Sequence, residues 1–314
     1  MKLSIVTTLY NSSKYIEEFY SRISIEAKKI TNNYEIIFVD DGSPDDSLSK
    51  AIKLCKKDSH VKVIELSKNF GHHKAIMTGL NHARGDFVFL IDSDLEEEPE
   101  LLGKFWEELN KNNIDVDAVY GAQQIRKGHL FERLSGWFFY KIFNFLSEIK
   151  IPKNFLTVRL MKKNYVRNLI SFKEKQIVFS ILNVLNGFKV KEILVSKKHL
   201  SKTTYNFQSK IKLVFSHITA SSPKFLHLAF YVGFFITINS FFFILYLIIN
   251  KFIFDTTPHG WVSILSSIFL FGGLTILFLG LIGLYIAEIF IEVKNRPITI
   301  IKNIYQENIN EETV

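Results

Sequence analysis

The apolar and polar positions of this 314-residue chain follow three different patterns. From Met1 to about residue 222, short β-branched runs alternate with stretches of helical periodicity, the signature of βαβ units around a mostly parallel sheet. The runs predict strands at Leu3 to Thr8, Glu35 to Val39, Lys62 to Leu66, Phe87 to Ile91 and Ala118 to Tyr120. Within this part, His129 to Ile149 crowds Trp137, Phe138, Phe139, Phe143 and Phe145 among the cations Arg133 and Lys141. That pattern predicts an amphipathic helix lying in a membrane interface, and Leu213 to Phe225 predicts a second such element. The third pattern has no polar face: Leu228 to Asn250 and Val262 to Ala287 contain no acidic or basic residue. As helices they would reach roughly 34 and 39 Å, against a hydrocarbon core of about 30 Å. Gly273, Gly280 and Gly283 give the second run a small face for close helix packing. The expected organisation is an α/β domain over 1–222 (with 129–149 and 213–225 interfacial), a transmembrane hairpin over 226–290 and a tail over 291–314.

Composition sharpens this division. The chain is 47% hydrophobic with a mean hydropathy of +0.13, yet it carries 39 Lys and Arg against 31 Asp and Glu, a net charge of +8. Soluble domains seldom combine the two, and disordered chains lack the apolar content. Nearly all the cations precede Leu228 or follow Glu292. The positive-inside rule then puts both termini and the α/β domain on the cytoplasmic side of the inner membrane, with Trp261 and Tyr285 as interface anchors. Met1 to Asn11 has only a brief apolar run, so no signal peptide is expected. Anionic membrane phospholipid accounts for the basic balance, and no nucleic-acid motif accompanies it. Cys55 stands alone, which excludes an intramolecular disulfide framework and a multi-cysteine metal site. The sequence leaves a homo-oligomer open.

The candidate chemistry sits where strands end. The first, second and fourth predicted strands run into Tyr10-Asn11, Asp40-Asp41-Gly42-Ser43 and Asp92-Ser93-Asp94. Open parallel sheets bind ligands beyond the carboxyl ends of their strands, so the three clusters predict one site. Asp92 and Asp94 are hard oxygen ligands of the kind that hold Mg²⁺ or Mn²⁺ while substrate phosphates complete the shell. A turn or helix cap is the competing reading for Asp40 and Asp41. Gly71 and Gly79 fit neither a dinucleotide fingerprint nor a P-loop. His72 and His73 are adjacent, lack partner ligands at useful spacing and are not expected to hold a metal. Beyond Glu96, the Glu97-Glu98 run predicts a solvated helix start.

These residues resemble the family 2 glycosyltransferases of the GT-A fold, specifically those that act on polyprenyl phosphates, related to dolichyl-phosphate mannose synthase and the bacterial undecaprenyl-phosphate glucosyl and aminoarabinose transferases. The resemblance runs in order along nearly the whole chain. It passes through Tyr10-Asn11, VDDGSPDDS (Val39 to Ser47), NFGHHKA (Asn69 to Ala75), RGD (Arg84 to Asp86), IDSDLEEEPE (Ile91 to Glu100) and YGAQQIRKG (Tyr120 to Gly128). It continues with VRLM (Val158 to Met161), SKTTY (Ser201 to Tyr205) and EVKNRP (Glu292 to Pro297).

The resemblance implies inverting transfer of a sugar from a nucleotide-sugar to polyprenyl phosphate, with a divalent metal, Mg or Mn. It implies that Tyr10, Asn11, Asp40, Asp41, Lys74 and Asp92 hold the nucleotide-sugar. Asp92 and Asp94 would serve the sugar and the metal-diphosphate. Glu96 stands where relatives often have a glutamine that assists the metal, and its carboxylate joins Asp92 and Asp94 in the implied metal-ligand set. Lys202 and Tyr205 would lie in a loop closing over the diphosphate. Arg126 and Arg159, with Arg133 nearby, would meet the acceptor phosphate, whose oxygens suit the guanidinium fork. Two positions depart from the family: Thr157 replaces an aspartate proposed as catalytic base, and Gln123 replaces a common arginine. A lipid phosphate is already largely anionic at neutral pH, so it needs less deprotonation than a sugar hydroxyl. Two other readings remain: a family 2 enzyme that extends a lipid-linked glycan, and a scaffold that keeps the fold without catalysis. Processive synthases carry a Q-x-x-R-W motif and more spans, and neither is present here.

Overall fold

The computed structural model describes residues 1–111, 116–123, 155–175, 177–196 and 261–306, together with 231–233, 235, 236, 238, 239 and 242. The described residues form two compact units, the sheet with its helices and the segment from 231 to 295. Expected interfacial elements at 129–149 and 213–225 lie outside the described residues.

In the first unit the expected strands form at Leu3–Leu9 (β1), Tyr34–Asp40 (β2), Val61–Leu66 (β3), Phe87–Leu90 (β4) and Ala118–Gln123 (β5). Three more join them: Phe155–Lys162 (β6), Val190–Val195 (β7) and Ile301–Tyr305 (β8). The eight-stranded sheet has the order β7-β5-β6-β4-β1-β2-β3-β8. Pairings β1–β2, β1–β4, β2–β3 and β5–β7 are parallel, whereas β4–β6, β5–β6 and β3–β8 are antiparallel. This is the GT-A type of α/β fold, a mixed sheet with a parallel centre.

The central strands are buried on both faces, and alternate residues feed two separate cores. Leu3, Ile5 and Leu9 of β1 and Ile36 and Phe38 of β2 pack with helices α1 (Ile16–Ile30), α2 (Ser47–Cys55) and α4 (Leu101–Leu109). Val6, Ile37 and Val39 pack on the other side with α3 (His72–His82), α5 (Lys163–Ser171) and α6 (Phe179–Leu185). In α1 the buried positions Ile16, Phe19, Ile23 and Ala27 follow helical spacing. Gly79 lets α3 lie close on the sheet, because a Cβ there would come within 2.5 Å of a Val6 methyl and 3.0 Å of a Val39 methyl. That contact lets the carboxyl half of α3 pack tightly on β1 and β2.

In the second unit, helix α7 (Trp261–Val293) is 33 residues long, about 50 Å at the α-helical rise. Its stretch Leu274–Val293 has a mean hydropathy of 2.4 and is long and apolar enough to cross a membrane. Ile276, Leu279 and Ile289 are 72%, 62% and 61% exposed, the reverse of a core helix. The helix continues past the expected end at Ala287, through Glu288 and Glu292. Most of the expected first span lies outside the described residues; the described positions between 231 and 242 are helical. Gly233 among them lies beside the Phe278 ring of α7, 3.5 Å from where a Cβ would sit. Among the described residues α7 holds the one candidate span.

Residues after α7, expected as a tail, return to the sheet. β8 runs antiparallel to β3, and Glu65 of β3 accepts from Lys302 Nζ (2.6 Å), Asn303 Nδ2 (2.8 Å) and the Tyr305 hydroxyl (2.8 Å). The side-chain hydroxyls of Thr299 and Thr78 lie 2.7 Å apart, joining the same segment to α3.

Candidate active site

Because β1 lies between β2 and β4, the polar clusters ending these strands are neighbours. Tyr10 is 51% exposed at the end of β1, and Asn11 takes a left-handed backbone at φ 54°. Asn tolerates that conformation better than most residues, and it turns the chain sharply out of the strand. The Asp41 amide then donates to the Leu9 carbonyl (3.0 Å), holding the β1 and β2 ends together.

Asp40 and Asp41 are each only 2% exposed. The Asp41 carboxylate accepts from the backbone amides of Phe70 (2.7 Å) and Gly71 (3.0 Å), which ties the NFG stretch to the end of β2. Asp40 accepts from the Ser43 amide at 3.3 Å, while its Oδ1 is buried with no hydrogen-bond partner. Burial pushes both carboxyls above their ordinary value of 3.8, against the amides that pull them down. Gly42 makes the intervening turn possible: its φ is +64°, and a Cβ would meet the Asn69 amide at 2.6 Å. Lys74 stands in the first turn of α3, partly buried.

At the end of β4, Asp92 and Asp94 flank Ser93, whose hydroxyl donates to the Thr8 carbonyl at 2.9 Å. Asp94 Oδ1 accepts from the Glu96 amide at 3.0 Å. The intervening Leu95 has φ 59°, a strained left-handed backbone for a branched side chain. Glu96 is 5% exposed and Glu97 1%, and α4 begins only at Leu101, so Glu97 is buried in the site loop instead of starting a solvated helix. Among the described residues no three His, Cys, Asp or Glu side chains converge to hold a metal by themselves.

The antiparallel β6 carries Arg159 opposite Leu90, the last residue of β4. Arg159 is 2% exposed. Its Nε donates to the Thr157 carbonyl (2.9 Å), and its terminal nitrogen donates to the Leu156 carbonyl (3.0 Å). The guanidinium lies between the rings of Phe155 and Phe179, 4.6 and 4.5 Å from their centroids. Burial pushes its pKa down to about 10. A cavity of about 230 Å³ opens beside it, lined by Tyr120, Tyr165, Asn183 and Phe188 among others. Thr157 is partly exposed, and its carbonyl helps hold Arg159. Arg126, Arg133, Lys202 and Tyr205 lie outside the described residues.

His72, not expected from the sequence to hold a metal, lies in the site. Its Nδ1 is 3.1 Å from the Thr8 hydroxyl and its Nε2 is 3.5 Å from Asp92 Oδ1. His73 instead lies beside Phe179, ring centroids 6.4 Å apart, with Nδ1 donating to the Ile177 carbonyl (3.1 Å) and a pKa lowered by burial. The available signal was the position of His72, directly after the glycine that opens a helix.

A carboxylate pair on one side, a second pair on the other and a buried arginine between aromatic rings suit binding and transfer of phosphorylated groups. The family model described as glycosyl transferase family 2 matches residues 4–170. The chain belongs to that family and is a glycosyltransferase. A Mycobacterium tuberculosis protein provisionally named a glycosyltransferase is 45% identical over 97% of this chain and 89% of its own length. The prophage-derived bactoprenol glucosyl transferase of Shigella flexneri is 32% identical over 98% of this chain and 100% of its own. Among solved structures, glucosyl-3-phosphoglycerate synthase from Mycobacterium tuberculosis gives a TM-score of 0.48 at 16% identity, covering 69% of this chain and 76% of that one.

Proposed function

We propose that this glycosyltransferase moves one sugar from a nucleotide-sugar to the phosphate of a membrane polyprenol, with inversion, at the cytoplasmic face of the inner membrane. Full-length similarity to a bactoprenol glucosyl transferase carries the reading, since it spans both the sheet unit and the apolar helix α7. Asp40 and Asp41 take the nucleoside end of the donor, with Tyr10, Asn11 and Lys74 at the rim. The uncommitted Asp40 Oδ1 is a buried acceptor suited to a base N–H or a ribose hydroxyl.

Asp92 and Asp94 fit a divalent cation, Mg²⁺ or Mn²⁺: they are paired hard-oxygen donors held on a strained turn. Because no third such side chain converges on them among the described residues, the donor's phosphate oxygens would fill the remaining positions. When bound, the metal would neutralise the leaving diphosphate. Glu96, buried behind the turn, would support Asp94 through its amide. Arg159 acts on the acceptor side. Its guanidinium, positioned by two carbonyls and two rings, attracts the acceptor phosphate toward an in-line approach to the anomeric carbon. With the phosphate already anionic, Thr157 need not act as a base. Arg126, Arg133, Lys202 and Tyr205 are assigned to the same phosphates from the family resemblance, and α7 belongs to a two-span anchor.

The test is assay of the full-length protein in detergent with UDP-, GDP- and dTDP-sugars, polyprenyl phosphate and Mg²⁺ or Mn²⁺. Nucleoside diphosphate should be released only when polyprenyl phosphate is present, and the linked sugar should have the opposite anomeric configuration to the donor. Release indifferent to the lipid, or retention of configuration, would overturn the proposal.

A further inference from the structure

Thr8, at the end of β1, joins the three elements that meet at the site. Its carbonyl accepts from Ser93, the residue between Asp92 and Asp94, at 2.9 Å. Its hydroxyl lies 3.1 Å from Nδ1 of His72, the first residue of α3. His72 Nε2 in turn faces Asp92 Oδ1 at 3.5 Å. A carboxylate can only accept, so the tautomer that serves this arrangement carries its proton on Nε2 and receives the Thr8 hydroxyl hydrogen at Nδ1. The contacts cross long stretches of chain, with a hydrogen-bond distance at Nδ1 and a longer approach to the carboxylate at Nε2.

We propose that His72 is a positioning residue for the donor site: with Thr8 behind it, it orients the Asp92 carboxylate for the metal-diphosphate. The inference rests on the reading of Asp92 as a metal ligand. Groups behind a liganding carboxylate or imidazole fix its rotamer, and their removal typically costs about 10- to 100-fold in metal affinity or activity. The Thr8 hydroxyl sets the ring orientation, so Thr8 acts through His72 and the two effects should not add.

The full-length protein in detergent would be titrated with Mn²⁺ in the presence of UDP or GDP, following the electron paramagnetic resonance signal of the free ion. His72→Ala should weaken Mn²⁺ binding about 10-fold or more. His72→Gln, which keeps an N–H donor, should recover most of the loss. Thr8→Val should shift binding in the same direction by less, and the Thr8→Val/His72→Ala double variant should match His72→Ala alone. In turnover assays the loss should appear in the metal activation constant and disappear at saturating Mn²⁺. Unchanged Mn²⁺ binding in a folded His72→Ala protein, additive effects, or no Mn²⁺ binding by the unsubstituted protein would overturn the proposal. The binding measurement contains no acceptor, so it can succeed or fail independently of whether a polyprenol receives the sugar.

Discussion

Buried carboxylates contrast at two places on the same sheet: Glu65 alone where β3 meets β8, and a cluster of acids at the ends of β2 and β4. At the β3–β8 edge, Glu65 collects three side-chain donors, and although burial opposes it, those donors hold its pKa below the ordinary 4.5. At the strand ends burial wins: Asp40 and Asp41 are pushed up, one Asp40 oxygen has no partner, and Asn11 and Leu95 carry left-handed backbone. A saturated carboxylate contributes to the fold, whereas incompletely matched carboxylates on a strained frame are poised for a ligand that the fold alone does not provide.

The contrast can be broken by substitution. The largest effect is expected for Asp94→Asn, which should lower turnover about 10²-fold or more while leaving the thermal midpoint nearly unchanged. Near-normal turnover with saturating lipid acceptor would remove Asp94 from the metal site. Next, Arg159→Met keeps bulk between Phe155 and Phe179 but deletes the charge, and should raise the acceptor KM about 10-fold or more with the nucleotide-sugar KM unmoved. A change confined to the donor would mean that the division of the site is drawn wrongly.

Smaller effects separate the two places by pH. Glu65 has a depressed folded pKa, so its stabilisation is fully present above about 4.5 and fades as pH falls through the folded value. Glu65→Gln should cost about 1 kcal/mol at neutral pH, flatten that acid limb in a urea-melt series and leave KM values alone. Asp40 and Asp41 have the opposite sign: their folded pKa values lie above 3.8, so acidification through that window favours their protonated folded state. Nucleotide-sugar binding should therefore weaken on acidification at a higher pH than an ordinary aspartate would dictate, and Asp41→Asn should abolish part of that dependence. Equal acid limbs in both variants would erase the distinction between the two places.

Much of this organisation is legible in the sequence because it is local. β1, β2 and β4 are apolar runs that end in polar clusters, and position in a parallel sheet is enough to gather those clusters. β6 hides because Phe155–Lys162 interrupts its apolar residues with Thr157 and Arg159, and the burial of Arg159 depends on Phe179 from a separate helix. β8 hides because Ile301–Tyr305 is short and mixed, and its partner Glu65 lies more than 200 residues earlier. His72 lacks the spacing of a metal ligand, so the sequence alone gives it no role at the site. Its contacts with Thr8 and Asp92 arise only when α3 is laid against β1, a relation no local motif records.

The most direct test of the whole account is mass spectrometry of the lipid extracted after the full-length protein has been incubated with polyprenyl phosphate, a divalent metal and each nucleotide-sugar in turn. The account predicts that one donor yields a single new species, the polyprenyl phosphate plus one sugar residue. A lipid bearing a lengthening glycan, or no sugar-bearing lipid with any donor, would contradict it.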